Sequence, residues 1–181
     1  MSAATLRSFG ASLAVVFGLG LTNLAVAAEL KVGDPAPAFS MMGSDGKTHS
    51  LADYKGKQAV VIAWYPKAFT GGCTAECKSF REKSAEMKKL HVAYFTASVD
   101  TAAENKKFAE SLDLDYPILS DPDKSVAKAY GVINETRGMA NRWTFYIDKD
   151  GVIKEIDKKV NTKQATPDVA TMVEKLGLAG K

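Results

Sequence analysis

The chain has 181 residues, 24 lysines and arginines against 21 acids, a net charge of +3 and two cysteines. Lysines and acids are interleaved, so no single-sign block points to a nucleic acid or membrane partner, and KEIDKKVNTK reads as a solvated surface. A single domain of this size buries about 70% of its unfolded surface, so its stability does not require the cysteines as staples.

The first element in chain order reads as an export signal. Arg7 precedes an apolar run from about Ala11 to Val26, which ends in the small-residue triplet Ala25-Val26-Ala27. The run is interrupted by Thr22 and Asn23 and falls short of the ~20 apolar residues that an uncleaved anchor needs. Cleavage before Ala28 takes away Arg7 and no acid, leaving residues 28–181 as one domain with 23 basic and 21 acidic residues. The expected location is periplasmic or secreted, with no membrane contact after cleavage. An oxidising compartment permits disulfides, so a pair of thiols there is expected to be oxidised at some stage.

In the exported part, Pro35 and Pro37 precede a short run, Phe39 to Met42, which an Asp45-Gly46 turn folds into a small hairpin. QAVVIAWY, from Gln58 to Tyr65, is a continuous β-branched apolar run and predicts a strand buried on both faces. From Cys73 to Leu90 the period changes: Cys73, Cys77, Phe80, Ser84 and Met87 share one helical face, while Lys78, Arg81, Glu82 and Lys88 lie largely elsewhere.

HVAYFTASV predicts a second buried strand, followed by a helix from about Thr101 and a short helix that stops at Gly131. RWTFYID and GVIKEID flank KDG as two antiparallel strands, and a last helix is expected to begin near Pro167. This order predicts an α/β fold with a central mixed sheet flanked by helices. Trp64, Trp143, Phe145 and Ile147 are read as core or half-buried strand residues, and Met41-Met42 as gap filler.

Both cysteines lie in YPKAFTGGCTAEC, directly after the first buried strand. A disulfide spanning only four residues closes a tiny loop and constrains the unfolded chain little, so stability is a poor reason to keep the pair. A thiol is nucleophilic as its thiolate, which the unpaired amides of a first helical turn favour, and Cys73 is placed at such a turn. Gly71 and Gly72 let the backbone pass close to a ligand, and the Thr70 hydroxyl can donate and accept. A small oxidant reaching Cys73 meets donors suited to a displaced oxygen.

Pro66, Thr70 and Cys73 spell P-x-x-x-T-x-x-C, and this segment resembles the peroxidatic loop of peroxiredoxins, specifically the Q-type, bacterioferritin-comigratory subgroup. VGDPAPAF, DGKTHSLADYKGK, CTAECKSFRE and RWTFYIDKDG resemble segments of that family in the same order and span nearly all of residues 28–181. The resemblance implies a thioredoxin-like fold with an N-terminal hairpin. It implies reduction of hydrogen peroxide and small organic hydroperoxides through a cysteine sulfenic acid, without cofactor or metal. A thioredoxin-like or other thiol is the implied reductant, and the subgroup is mostly monomeric.

Carried over by position, Cys73 attacks the O–O bond, Thr70 hydrogen-bonds the peroxide and Pro66 shields the nascent acid from water. Gly72 falls within the peroxide-binding segment. Arg142 matches the active-site arginine, whose charge favours thiolate and leaving oxygen. Glu76 matches a glutamate that orients such groups, although its sequence position equally suits an exposed helix acid.

The departure from the subgroup is Cys77, four residues after Cys73 where a resolving cysteine in this helix usually lies five after. On an intact helix that spacing puts the two on one face about 6 Å apart along the axis. A disulfide needs Cβ atoms roughly 3.5 to 4.5 Å apart, so the first turn must unwind for the pair to bond. Two roles stay open for Cys77: resolving cysteine, or a small buried residue beside a cysteine resolved by an outside thiol.

Two other redox readings compete. A thiol-disulfide oxidoreductase carries C-x-x-C beside a tryptophan, whereas this chain has C-x-x-x-C with Trp64 far upstream. A Sco-type copper chaperone uses C-x-x-x-C with a histidine in a late loop, and soft thiolates suit Cu(I). Here His49 lies in the early hairpin and His91 at a strand start, both read as ordinary surface or strand-end residues.

Overall fold

The computed structural model describes residues 29–180; the expected export signal, residues 1–27, lies outside them. The hairpin forms from β1 (Ser40–Gly43) and β2 (Thr48–Ser50), closed at Gly46 with φ +78°. Met41 faces inward and Met42 is 42% exposed, so the pair does not fill one gap but obeys strand alternation. Then come β3 (Val60–Trp64), α1 (Gly71–Glu82), α2 (Ser84–Lys89), β4 (Ala93–Ser98), α3 (Ala102–Ser111) and β5 (Ile118–Ser120). The chain continues through α4 (Ser125–Ala129), β6 (Ile133–Asn134), β7 (Met139–Ala140), β8 (Thr144–Ile147), β9 (Ile153–Asp157) and α5 (Ala165–Lys175).

Seven strands form one mixed sheet in the order β2-β1-β5-β4-β3-β8-β9, with β3, β4 and β5 parallel and the other pairings antiparallel. β6 and β7 make a separate small hairpin. β3 shows why its apolar run is continuous. Val60, Ile62 and Trp64 join the cluster that includes Val126 and Ala127 of α4, while Val61 and Ala63 join the one containing Phe80, Met87, Val169 and Val173 from α1, α2 and α5. A third cluster brings Phe108 of α3 to Tyr65, Ile118 and both cysteines.

Three boundaries differ from the sequence reading. The helical run from Cys73 to Leu90 is two helices, parted at Lys83 with φ −111° and ψ 14°. The Met87 amide still bonds the Lys83 carbonyl, so the apolar period runs across the break and conceals it. α5 begins two residues before Pro167, with the buried Thr166 amide donating to the Ser79 hydroxyl of α1 at 3.2 Å. Proline is tolerated there because first-turn amides lack intrahelical partners. β5 pairs only at Ile118 to Ser120, too short to show as a run of its own in YPILS.

The expected features hold elsewhere. Thr101 caps α3 in a reciprocal box with Glu104, Gly131 follows α4 at φ +66°, and Asp148 closes the β8–β9 turn by accepting from the Asp150 and Val152 amides.

Candidate active site

β3 ends at Trp64 in the middle of the sheet, and the chain leaves through Tyr65, Pro66, Lys67, Ala68 and Phe69 before Thr70 becomes the N-cap of α1. Tyr65 and Ala68 are buried, Pro66 is half-buried, and Lys67, Phe69 and Thr70 are exposed. Cys73 is the third residue of α1, in the first turn, as its surroundings in the sequence imply. Both cysteines are free and fully buried.

Arg142, two residues before β8, converges on Cys73 from the other side. Its Nη2 donates to Cys73 Sγ at 3.2 Å and its Nη1 donates to Glu76 Oε2. One guanidinium fork thus holds two groups one helical turn apart, a task that a point charge such as lysine does less well. Gly72 makes the approach possible: a Cβ there would stand 3.3 Å from Arg142 Nη2. A Cβ on Gly71 would meet nothing within 4 Å, so the close-approach argument applies to Gly72 alone.

Glu76 is fully buried, which overturns the exposed-acid alternative. Burial pushes its carboxyl up to about 7 against the opposing pull of Arg142, and Oε1 has no hydrogen-bond partner among the described residues. Burial lowers the Arg142 pKa, but Glu76 and Cys73 more than offset it, so the guanidinium is held charged beyond its usual range.

The Thr70 hydroxyl is committed as a donor. It bonds the Lys67 carbonyl at 2.9 Å, which leaves its lone pairs as the part able to accept from a ligand. Cys77 points into the interior, with Sγ 4.0 Å from Thr96 Oγ1, and burial followed by the nearby Glu76 pushes its thiol up to about 12. Tyr116 donates to the Cys77 carbonyl at 3.1 Å. His49 has both ring nitrogens engaged, by Tyr54 at 3.1 Å and by Asp45 at 3.1 Å, and His91 is exposed in the turn before β4.

The sequence reading missed Tyr116 and Thr96, which surround Cys77, and Asp100, whose Oδ2 accepts from the Ala68 amide at 2.8 Å. They lie 39, 19 and 32 residues from their partners, so no local spacing signals them.

A model of the AhpC/TSA family matches residues 32–156. Peroxiredoxin Bcp of Escherichia coli strain K12 is 38% identical over 133 residues, covering 70% of this chain and 85% of that protein. The crystal structure of the peroxidoxin BcpB from Mycobacterium tuberculosis aligns with a TM-score of 0.73 at 27% identity, covering 81% of this chain and 97% of the other. A PrxQ variant from Xylella fastidiosa aligns at 0.75 over 82% and 98%, and at 22% identity it bears on the fold alone. The fold is thioredoxin-like, and within it Arg142 meets Cys73 in the first turn of α1, next to the Thr70 N-cap. The chain belongs to the AhpC/TSA family, as a peroxiredoxin related to the Bcp proteins.

Proposed function

We propose that this thiol peroxidase reduces hydrogen peroxide and small organic hydroperoxides at Cys73. The observation that carries the assignment is the Arg142 fork, which donates to Cys73 Sγ and to buried Glu76 at once. The Cys73 thiolate attacks one peroxide oxygen. An S–O bond forms, the O–O bond breaks, and the displaced oxygen leaves as water or alcohol after taking a proton, with Cys73 left as a sulfenic acid. Arg142 stabilises negative charge on sulfur and then on the departing oxygen. Thr70 accepts from the peroxide O–H, and Pro66 shields the sulfenic acid.

Cys77 then resolves the sulfenic acid: the S–S bond forms as water leaves, and an external thiol reductant restores both thiols. In the folded helix the Cys77 thiol is dry and held protonated, so resolution follows opening of α1. The export signal read in the sequence, with cleavage near Ala27/Ala28, supports a site for this cycle outside the cytoplasm. The intrachain contacts of Arg142 with Cys73 and Glu76 support a site complete within a single subunit.

The deciding experiment is peroxide consumption by metal-free protein with a thiol reductant. Wild type should turn over without copper and Cys73→Ser should not, because the hydroxyl is a far poorer nucleophile near neutral pH. Equal turnover by the variant removes Cys73 from the reaction.

A further inference from the structure

The loop that carries Thr70 to the site is exposed at Lys67, Phe69 and Thr70, yet its shape is specific. Phe69 has φ +60°, a left-handed conformation that a bulky side chain adopts only where its surroundings impose it. Its ring, 59% exposed, rests on Phe108 with centroids 4.9 Å apart. The residue before it is pinned: the Ala68 amide donates to Asp100 Oδ2 at 2.8 Å, in a buried position.

Asp100 is itself held. The Ser98 hydroxyl donates to the same Oδ2 at 3.0 Å, and the Asp100 amide donates back to Ser98 Oγ at 3.2 Å. Asn105 of α3 donates through Nδ2 to Ser98 Oγ at 3.0 Å and to Ser120 Oγ at 2.9 Å, and accepts from the Tyr65 hydroxyl at 2.7 Å. Lys67 Nζ lies 3.9 Å from Asp100 Oδ1. Ser98, Asn105, Ser120 and Asp100 are all buried, so this is a dry, connected network, rigid because its members satisfy one another. It ties three loop residues to the ends of β4 and β5 and to α3.

We propose that Asp100 is a positioning residue for peroxide attack: by fixing Ala68 it imposes the left-handed turn at Phe69 and so sets the Thr70 hydroxyl and the start of α1 in the geometry that receives the peroxide at Cys73. The Thr70 hydroxyl bond to the Lys67 carbonyl, 2.9 Å, closes the loop on the other side of the pinned residue. The structure gives Asp100 no hydrogen bond to Cys73 or Arg142; it acts through the backbone.

The inference rests on Cys73 being the attacking cysteine, and its test separates the two. Full-length Asp100→Ala and Asp100→Asn are compared with wild type in two single-turnover rates at Cys73, oxidation by hydrogen peroxide and alkylation by iodoacetamide. Alkylation needs the sulfur but not the Thr70 hydroxyl, so a positioning role lowers only the first rate. In Asp100→Ala the peroxide rate constant should fall about 10- to 100-fold, the scale of a misplacement near 1 Å, with alkylation unchanged or faster. Asp100→Asn, which keeps an oxygen for the Ala68 amide, should recover most of the loss.

A wild-type peroxide rate in Asp100→Ala overturns the inference, as does a parallel fall in both rates or an asparagine variant no better than alanine. If Asp100→Ala does not fold, Ser98→Ala, which removes one support of the carboxylate, should show the same split at smaller amplitude, and equal rates there overturn it. Retained turnover in Cys73→Ser would instead sink the assignment of the nucleophile.

Discussion

The Tyr116 hydroxyl donates to the Cys77 carbonyl at 3.1 Å, so a residue from the approach to β5 fastens the part of α1 that holds the second thiol. With Sγ facing Thr96 and Tyr116 gripping its backbone, Cys77 is tied at both ends to the sheet side of the helix. A disulfide formed by drawing Cys77 away from the sheet toward Cys73 would release that grip.

Tyr116→Phe keeps the buried ring and removes the grip. One such hydrogen bond contributes about 1 kcal/mol, so sulfenic acid resolution should speed up by about fivefold. The first oxidation should be unaffected, because Tyr116 has no bond to Cys73 or Arg142. Rapid-quench mass analysis after one equivalent of peroxide measures both steps, and an unchanged resolution rate means that α1 opens without parting this contact.

One equivalent of peroxide added to reduced wild type should yield an intramolecular Cys73–Cys77 disulfide, detected as the loss of two hydrogens. Amides from Thr74 to Lys78 should then exchange faster, because the bond requires the helical turn to unwind. Cys77→Ser should consume its first equivalent at the wild-type rate and then overoxidise to sulfinic acid more readily. Sulfenic acid or mixed disulfide as the only product in wild type, with helix amides undisturbed, would make Cys77 a packing residue beside a one-cysteine peroxidase.

Arg142→Met deletes the donor to Cys73 and strands buried Glu76. The rate constant for reaction with peroxide should drop about 10²- to 10³-fold, the usual scale for one transition-state donor. Arg142→Lys should recover only part of it, since one ammonium replaces a two-pronged fork. Stopped-flow oxidation decides, and a wild-type rate in Arg142→Met removes the guanidinium from the chemistry.

Glu76 makes stability depend on pH in a predictable direction. Its carboxyl is raised from 4.5 to about 7 in the folded state, so the folded chain holds this proton more tightly than the unfolded one. The resulting stabilisation is fully present below about 4.5, declines as pH rises through about 7, and is gone above that. Urea unfolding of wild type and Glu76→Gln should show their stability difference shifting against wild type across this window, by on the order of a few kcal/mol. A constant difference would mean that Arg142 neutralises Glu76 throughout.

What was legible in the sequence followed local pattern. The unbroken apolar run from Gln58 to Tyr65 identified a strand buried on both faces, Thr101 marked a helix start, and KDG, Lys149 to Gly151, marked a tight turn. The reactive loop was visible because Pro66, Thr70 and Cys73 are close in sequence, and Arg142 because its strand carries a matching motif. The burial of Glu76 was half-visible: three residues after Cys73 it shares the inward face, but an acid there looks solvated until its cation partner, 66 residues away, is known. Asp100 and Tyr116 left no trace, because side chain-to-backbone bonds over 32 and 39 residues impose no periodicity. The break at Lys83 was hidden by a helical rhythm that continues through it.

The two tryptophans flank the reactive centre in opposite surroundings. Trp64 is fully buried at the end of β3, one residue before Tyr65, and its indole N–H has no acceptor among the described residues. Trp143 follows Arg142, half-exposed, with the Lys158 ammonium 4.2 Å from its ring centroid. Indole emission depends on solvent contact and on nearby charge. Trp64 should therefore emit toward the blue, with Trp143 red-shifted and sensitive to any shift of the Arg142 segment. The protein thus carries its own optical readout, in which disturbance of the strand end and displacement of the arginine register as separate spectral changes without an attached dye.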